Sequence, residues 1–321
     1  VNGSGFYVIR PGMHSLIQDL GRQGCYRLGL TTGGPADKLS FLWANRLCGN
    51  RAHSAALEIT FGGMEMEATD ETRIAITGAQ APISIDGKPV DNWRSHHLGK
   101  GSRLTIGTAS RGARIYLAVS GGFQIPPTLA SVATVTREAI GGLKGTALNK
   151  GDFLPFIPTG KDRDFALPPQ LRPTMDSAAP LRVIPGWRAA DLPRALKRDF
   201  FYRSDDRLLS LSADSNRMGY RLSGEPLADI DRIPAAMLSE GIVAGTVQLP
   251  ASGLPIIMHC DHQTIGGYPK IGTVISTDLW RLAQLPAGSR IRFTPITVAN
   301  AQHIHRQTLR MFESTVPWII D

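Results

Sequence analysis

The stretch Arg73–Val90, RIAITGAQAPISIDGKPV, decides the fold class. RIAITGA and APISIDGKPV each read as a short apolar, strand-like run followed by a turn. Between PISI and KPV stands Asp86-Gly87, a pair that closes a two-residue hairpin because both positions tolerate positive φ. The same grammar runs outward through ALEITF (56–61), SRLTIGTA (102–109) and ARIYLAVSGG (113–122), each a short apolar run ended by a turn residue. Evenly spaced short strands of this kind predict a barrel or a sandwich.

One segment breaks the pattern. In GGPADKLSFLWANRLCGN (33–50), Leu39, Leu42, Trp43 and Leu47 fall at helical spacing. Pro35 suits a first helical position and Gly49 a stop, so a helix over Pro35–Cys48 is expected. After a proline- and charge-rich segment, strand-like runs resume with LRVIPG, RLLSLSA, GTVQLP, LPIIMH and RIRFTPI. A helix is expected at STDLWRLAQLP, capped by Ser276 or Thr277, and another at NAQHIHRQTLRMFESTV. TTGGPADKLSFLWANRL and TIGGYPKIGTVISTDLWRLAQL echo each other faintly, consistent with two related lobes.

The chain has 321 residues, with 42% hydrophobic residues, 34 Gly and 22 Pro, which fits a turn-rich β protein larger than one ordinary domain. The expected division is a lobe over 6–157, a proline-rich connection over 158–180 and a second lobe over 181–321. The opening VNGSG, without an initiator methionine, is expected to be an expression remnant outside the fold. Lys and Arg exceed Asp and Glu by 35 − 27 = 8. The basic residues are interleaved with acids such as Asp191, Asp199, Asp205 and Asp206, so no nucleic-acid stripe is expected. Three cysteines without a CxxC pair argue against a disulfide framework or a zinc site. No apolar run is long enough for a membrane span, and a cytoplasmic protein is the expectation.

Several polar clusters could carry chemistry. Gln18, Asp19, Gly21 and Arg22 gather in SLIQDLGRQG, where carboxylate and guanidinium can pair, bind a polar ligand or simply shape a turn. Asp37 suits the first turn of the expected helix. Asn45 is a further polar residue of that segment, and Glu58 lies in a strand whose alternation makes exposure its default. Arg217, Tyr220 and Arg221 in SNRMGYRL can clamp a carboxylate or a phosphate, or pair with a neighbouring segment. Asp261, Gln263, Gly266 and Gly267 follow a buried-looking strand, and the glycines permit positive φ or close backbone approach. SGGF (120–123) and GGLKG (141–145) are either anion nests or ordinary hairpins. His96-His97, His259/His262 and His303/His305 lack a convincing third metal ligand, and no Ser-His-Asp order or GxSxG elbow occurs.

In order along the chain, RPGMHSLIQDLGRQG, GGPADKLSFLWANRLCGN, ALEITFGG, YLAVSGGF, GGLKGTALNKGD, SNRMGYRL and DHQTIGGYPKIGTVISTDLWRLAQLPAG resemble one family. It is the biotin-dependent carboxyltransferase, or allophanate hydrolase subunit 2 (KipA-like), family, with the C-type subunit of 5-oxoprolinase as its nearest type. The resemblance runs from about Phe6 to the end. It implies a mostly β fold with a few helices, in two cyclophilin-like β-barrel lobes. It also implies a subunit-1 or subunit-B-like (KipI-like) partner, a subunit-A-like protein, ATP used with the partner, and a small lactam or amide as substrate. Under that reading 5-oxoproline is opened to glutamate. The alternatives are a carboxyltransferase component of a biotin-dependent urea or amide carboxylase, and a regulatory antagonist of a kinase inhibitor. A peptidyl-prolyl isomerase is not implied, because fold does not carry function.

A lactam or urea site must stabilise an amide oxyanion and hold an anionic donor. For such a site we expect Arg22 and Arg217 to bind the anion. Gln18, Gln263 and Tyr220 would orient the amide, Gly266, Gly267 and Tyr268 would contact it, and Asp261 or Asp37 would be base or anchor. Departures from the family pattern are Ala130 and Ala133 in LASVATVT, which keeps Ser131 and Thr134, and Ile265 in place of a common Thr. The lost hydroxyls imply altered ligand contacts and another lactam or amide as substrate.

Overall fold

The computed structural model describes residues 3–160, 163–174 and 180–320. Residues 1–2 and parts of the proline-rich segment, 161–162 and 175–179, lie outside the described residues. The rest of VNGSG is not outside the fold, since Gly5 begins a strand and pairs with Pro155, and Ser4 Oγ donates to Asp70 Oδ2. Contacts divide the chain into two compact units, residues 1–25, 32–175 and 316–321 in unit 1, and 26–31 with 176–315 in unit 2. The protein is mostly β, with four α-helices among the described residues.

Unit 1 has two sheets. One runs Phe153–Pro155, Gly5–Pro11, Gly62–Ala68, Arg103–Thr108, Ile83–Ile85, Lys88–Val90. The other runs His14–Gln18, Ala56–Thr60, Arg111–Val119, Thr72–Gln80, Arg94–Leu98, Asp164–Ala166, Trp318–Ile320. The apolar faces of both enclose a core that includes Phe6, Leu57, Ile74, Ile76, Leu104, Ile115 and Leu117. The Asp86-Gly87 turn takes φ 51° and 76°, with Ile85 paired to Lys88, the two positive values that the dipeptide foretold.

Helix α1 spans Lys38–Leu47. Asp37 is its N-cap rather than a first-turn residue, and Pro35 lies outside the helix. The cap wins because the Asp37 carboxylate accepts from Ser40 N at 3.1 Å and Ser40 Oγ at 2.6 Å, satisfying a helix-start donor. Gly49 ends the helix at φ 70°, as expected. The helix is buried on more sides than one stripe would give, with Ser40 through Asn45 all inside.

The segment 158–180 is not uniformly open chain. Asp164–Ala166 pairs antiparallel with Trp318–Ile320, and Ala166 and Leu167 are buried. The apolar FAL inside the proline-rich run supplies enough side-chain surface to add a strand to unit 1.

Unit 2 has one large sheet, in the order Arg290–Ile291, Leu209–Leu211, Gly219–Ser223, Ile256–Met258, Thr246–Gln248, Lys270–Val274, Leu181–Pro185, Phe293–Pro295. A small ribbon pairs Glu240–Gly241 with Ile265–Gly266. Helix α2, Arg194–Phe201, was hidden in the sequence by its charges, yet Leu196, Phe200 and Phe201 form a buried face. Phe200 stacks on Phe293 at 4.3 Å. Helix α3 spans Ser276–Leu282 and α4 spans Val298–Ser314. Neither Ser276 nor Thr277 caps α3, because Ile275 is the N-cap residue and both hydroxyl residues are already helical. The echo between halves is also inexact. Gly34 leads into α1 through Pro35–Asp37, whereas the strand Lys270–Val274 intervenes before α3.

Among the described residues, no helix is long and apolar enough to cross a membrane, and no group of three His, Cys, Asp or Glu side chains could hold a metal ion.

Candidate functional site

In unit 1 the SLIQDLGRQG cluster is a clamp on one loop. Asp19 makes the expected local turn, accepting from Gly21 N at 2.9 Å, but also reaches Ser131 Oγ at 2.6 Å and Val132 N at 2.8 Å. It does not pair with Arg22. Arg22 is fully buried and donates from Nε to Thr128 O, and from Nη2 to Ser131 O and Ala133 O. Gln18, also fully buried at the end of the strand His14–Gln18, donates from Nε2 to Thr134 O at 3.0 Å. The turn expected from the sequence is present at Asp19, and beyond it all three side chains hold residues 128–134. The hydroxyls retained there are structural, since Ser131 serves Asp19 and Thr134 donates to Ile17 O at 2.9 Å.

Two atoms of this clamp have no hydrogen-bond partner among the described residues: Gln18 Oε1 and Arg22 Nη1. One is an acceptor and the other a cationic donor, each on a side chain with no solvent exposure. They are two of twelve such buried atoms among the described residues; leaving one unpaired costs about 1–3 kcal/mol, more for the cation, which a buried water or a ligand atom offsets.

A second buried network lies beneath α1. Glu58 Oε2 accepts from Ala36 N at 2.7 Å and from Tyr116 Oη at 2.8 Å, while Tyr116 Oη accepts from Asp37 N at 2.7 Å. Glu58 was expected to be exposed. It is buried because its strand, Ala56–Thr60, lies between two others and is covered by α1, so both faces are inside. Burial, then the charges of Glu58 and Asp37, push the Tyr116 phenol well above its ordinary pKa and keep it neutral. Asp37 therefore occupies the anchor role rather than that of a free base. Asn45 is likewise structural, bonded to Ser54 O and Asn50 Nδ2.

The two glycine loops are not vacant nests. Gly121 N donates to Asn50 Oδ1 and Gly122 N to Val119 O. In GGLKG, Gly142 N donates to Val132 O, and a Cβ at Gly141 would lie 2.0 Å from Ala133 O. Both sets of glycines serve close packing of the chain on itself.

In unit 2, Arg217 does not present a free clamp. Its Nε and Nη2 donate to Asp261 Oδ2 and Oδ1 at 2.8 and 2.9 Å, a bidentate pair between two buried side chains. Both carboxylate oxygens of Asp261 are engaged in that pair. Tyr220 sits in the core, its ring 5.0 Å from that of His259, and Arg221 is exposed. Gln263 is half-buried and its side chain makes no hydrogen bond among the described residues. Gly266 and Gly267 do not use positive φ; they allow close approach. A Cβ at Gly266 would lie 2.4 Å from Ile242 Cδ1 and 2.7 Å from Gln248 Nε2, and one at Gly267 would lie 2.8 Å from Met237 O. Tyr268 and Ile265 are exposed beside them.

Two contributors to this region were missed. Gln248, inside GTVQLP, is buried and its Nε2 has no partner among the described residues. A polar residue between Val247 and Leu249 was the available signal. The segment Tyr26–Thr31 joins unit 2: Thr31 Oγ1 donates to Cys260 O at 3.1 Å, and Tyr26 Oη lies 3.0 Å from His262 Nε2. His262 Nδ1 faces Gln263 O at 2.7 Å and carries hydrogen there, so in the neutral ring Nε2 accepts a hydrogen bond from the Tyr26 hydroxyl. Nothing local in the sequence announces this pairing, 236 residues apart.

Residues 28–295 match the model of the family described as carboxyltransferase domain, subdomain A and B. The chain is 38% identical over 308 residues to the C-type subunit of the Escherichia coli 5-oxoprolinase, covering 95% of this chain and 96% of that one. It is 36% identical over 291 residues to the C-type subunit of the Haemophilus influenzae 5-oxoprolinase, covering 91% of each. The crystal structure of Kluyveromyces lactis urea carboxylase is similar with a TM-score of 0.85 and 28% identity, over 95% of this chain and 28% of that one. With its two β units and its matching motifs, this chain belongs to the carboxyltransferase-domain family, subdomain A and B, that includes the C-type subunits of 5-oxoprolinases.

Proposed function

We propose that the protein is the C-type subunit of an ATP-dependent 5-oxoprolinase-type complex, which opens 5-oxoproline to glutamate with subunit-B-like and subunit-A-like partners. The observation that carries this reading is the pair of unpartnered buried atoms in unit 1. A lactam is a cis amide that presents N–H and C=O side by side. Gln18 Oε1 accepts the N–H and Arg22 Nη1 donates to the C=O. As the carbonyl oxygen gains negative charge on activation, the fixed guanidinium stabilises it without reorganising, because its other nitrogens are held by the 128–133 carbonyls. The anion-binding role falls to Arg22, since Arg217 is paired with Asp261. Within unit 2, Gln263, Gln248 and Tyr268, beside the Gly266-Gly267 backbone, form a separate polar group that we assign to ligand contact in its own right.

ATP supplies the phosphoryl group that activates the amide oxygen. The glycine loops of this chain do not fit a triphosphate, since the amides of Gly121, Gly122 and Gly142 are engaged by the chain itself. Nucleotide binding therefore falls to the partner.

Urea presents the same N–H and C=O pair, and the likeness to urea carboxylase supports a second reading in which a carboxyl group moves from carboxybiotin on a partner to urea. Reconstitution separates the two. The chain is combined with its B-like and A-like partners, and ATP-dependent glutamate release from 5-oxoproline is measured beside biotin-dependent carboxylation of urea. Glutamate release supports the first reading, and turnover on urea alone overturns it. Tight copurification without turnover on either substrate would favour a binding protein that regulates its partner.

A further inference from the structure

Cys260 is the sole cysteine of unit 2, and the fold supplies it with a base. His259 Nδ1 lies 3.2 Å from Cys260 Sγ, while His259 Nε2 lies 3.4 Å from Leu279 O. A carbonyl only accepts, so Nε2 carries hydrogen, and in the neutral ring Nδ1 is the acceptor turned toward the sulfur. The ring is held: it is 3% exposed and packs edge-on to Tyr220. Nucleophile, base and orienting group therefore stand in the arrangement that activates thiols. The other cysteines differ. Cys48 is buried beside two carbonyls and burial pushes its thiol far up, and Cys25 is buried with its sulfur 3.7 Å from Gln23 O. Cys260 is half-buried.

We propose that Cys260 is a reactive thiol, deprotonated by His259, and that it is a site of reversible oxidation by small hydroperoxides. The thiolate attacks one peroxide oxygen, forming the S–O bond as the O–O bond breaks. The sulfur is oxidised to a sulfenic acid, and the peroxide is reduced to water (or an alcohol) with the proton from imidazolium. Unit 2 has no second thiol to form an internal disulfide, so an external small thiol resolves the product to a mixed disulfide and water. The sulfur lies 3.8 Å from Arg217 O, a carbonyl that accepts from Asp261 N at 2.9 Å. The added oxygen thus arrives beside the Arg217–Asp261 pair, whichever amide the complex acts on.

The test uses the full chain, reduced. Iodoacetamide alkylation rates are followed site by site by peptide mass spectrometry between about pH 5.5 and 9, for the wild type and His259→Gln, with Cys260→Ser as the blank. A second arm adds limiting hydrogen peroxide and traps sulfenic acid with dimedone. At about pH 7, Cys260 should alkylate at least about tenfold faster than Cys25 or Cys48, and His259→Gln should slow it about tenfold, with the gap closing at high pH. Dimedone should mark Cys260 first. Equal rates in wild type and variant across the pH range, or first labelling at Cys25 or Cys48, would overturn the assignment. Should His259→Gln fail to fold, the wild-type profile decides. A rate that holds down to about pH 6 supports the pair, and a tenfold fall per unit below about pH 8 sinks it.

Discussion

Arg22→Lys separates a ligand-facing guanidinium from one that only braces a loop. The wild-type side chain makes three charge-assisted contacts, to Thr128 O, Ser131 O and Ala133 O, and keeps Nη1 unpartnered among the described residues. Lysine preserves the charge but has one nitrogen and no fork, so it can hold one of these carbonyls well. The loss should be about 2–4 kcal/mol of unfolding free energy, from two forfeited bonds at a buried site. If Nη1 also meets the developing oxyanion, turnover in the reconstituted complex should fall by about 10²–10³-fold at temperatures where the variant remains folded. The matched control is Asp19→Asn. Asp19 grips the same loop through Ser131 Oγ and Val132 N, and the amide keeps one acceptor, so about 1–2 kcal/mol should be lost. That variant loosens the loop without touching Nη1, and its turnover should drop by less than about tenfold. Denaturant unfolding gives the stabilities and glutamate release the rates. Refutation would be Arg22→Lys turning over as well as Asp19→Asn, which would make Arg22 a brace alone.

Two further outcomes follow from buried charge. Asp261→Ala leaves the Arg217 guanidinium inside without its carboxylate, and unfolding of unit 2 should move by about 3–5 kcal/mol, read by chemical denaturation; a change under about 1 kcal/mol would mean that Arg217 is well satisfied elsewhere. His96 has its pKa lowered, first by burial and then by Arg94, against the opposing pull of Asp91 O and the Asp164 and Asp91 charges. The unfolded histidine binds a proton near pH 6.5 while the folded one does not, so stability is complete above about pH 6.5 and falls as pH drops toward the lowered folded value. His96→Gln should flatten this acid limb in thermal unfolding between about pH 7.5 and 5, and an unchanged pH dependence would refute the assignment.

Local rules carried the sequence reading a long way. The short apolar runs between turns, the Asp86-Gly87 turn and the Gly49 stop are local features set within a few residues, and each stands where the sequence put it. Helix starts were less secure, because a cap depends on which side chain reaches a free N–H: Asp37 won over Pro35, and Ile275 displaced both hydroxyl candidates. Helix α2 escaped because its apolar face is carried on a segment in which four of the eight residues are charged.

By itself, then, the sequence determined the strand-rich architecture, the family motifs and the residue types an amide site needs. Tertiary structure alone decided how those residues are used. Glu58 is buried because a helix from another part of the chain covers its strand. Arg22 and Gln18 are fixed by carbonyls more than 100 residues away, and Arg217 is taken up by Asp261, 44 residues on. Pairing over such distances obeys burial and hydrogen-bond satisfaction in the folded chain, to which spacing along the chain is blind.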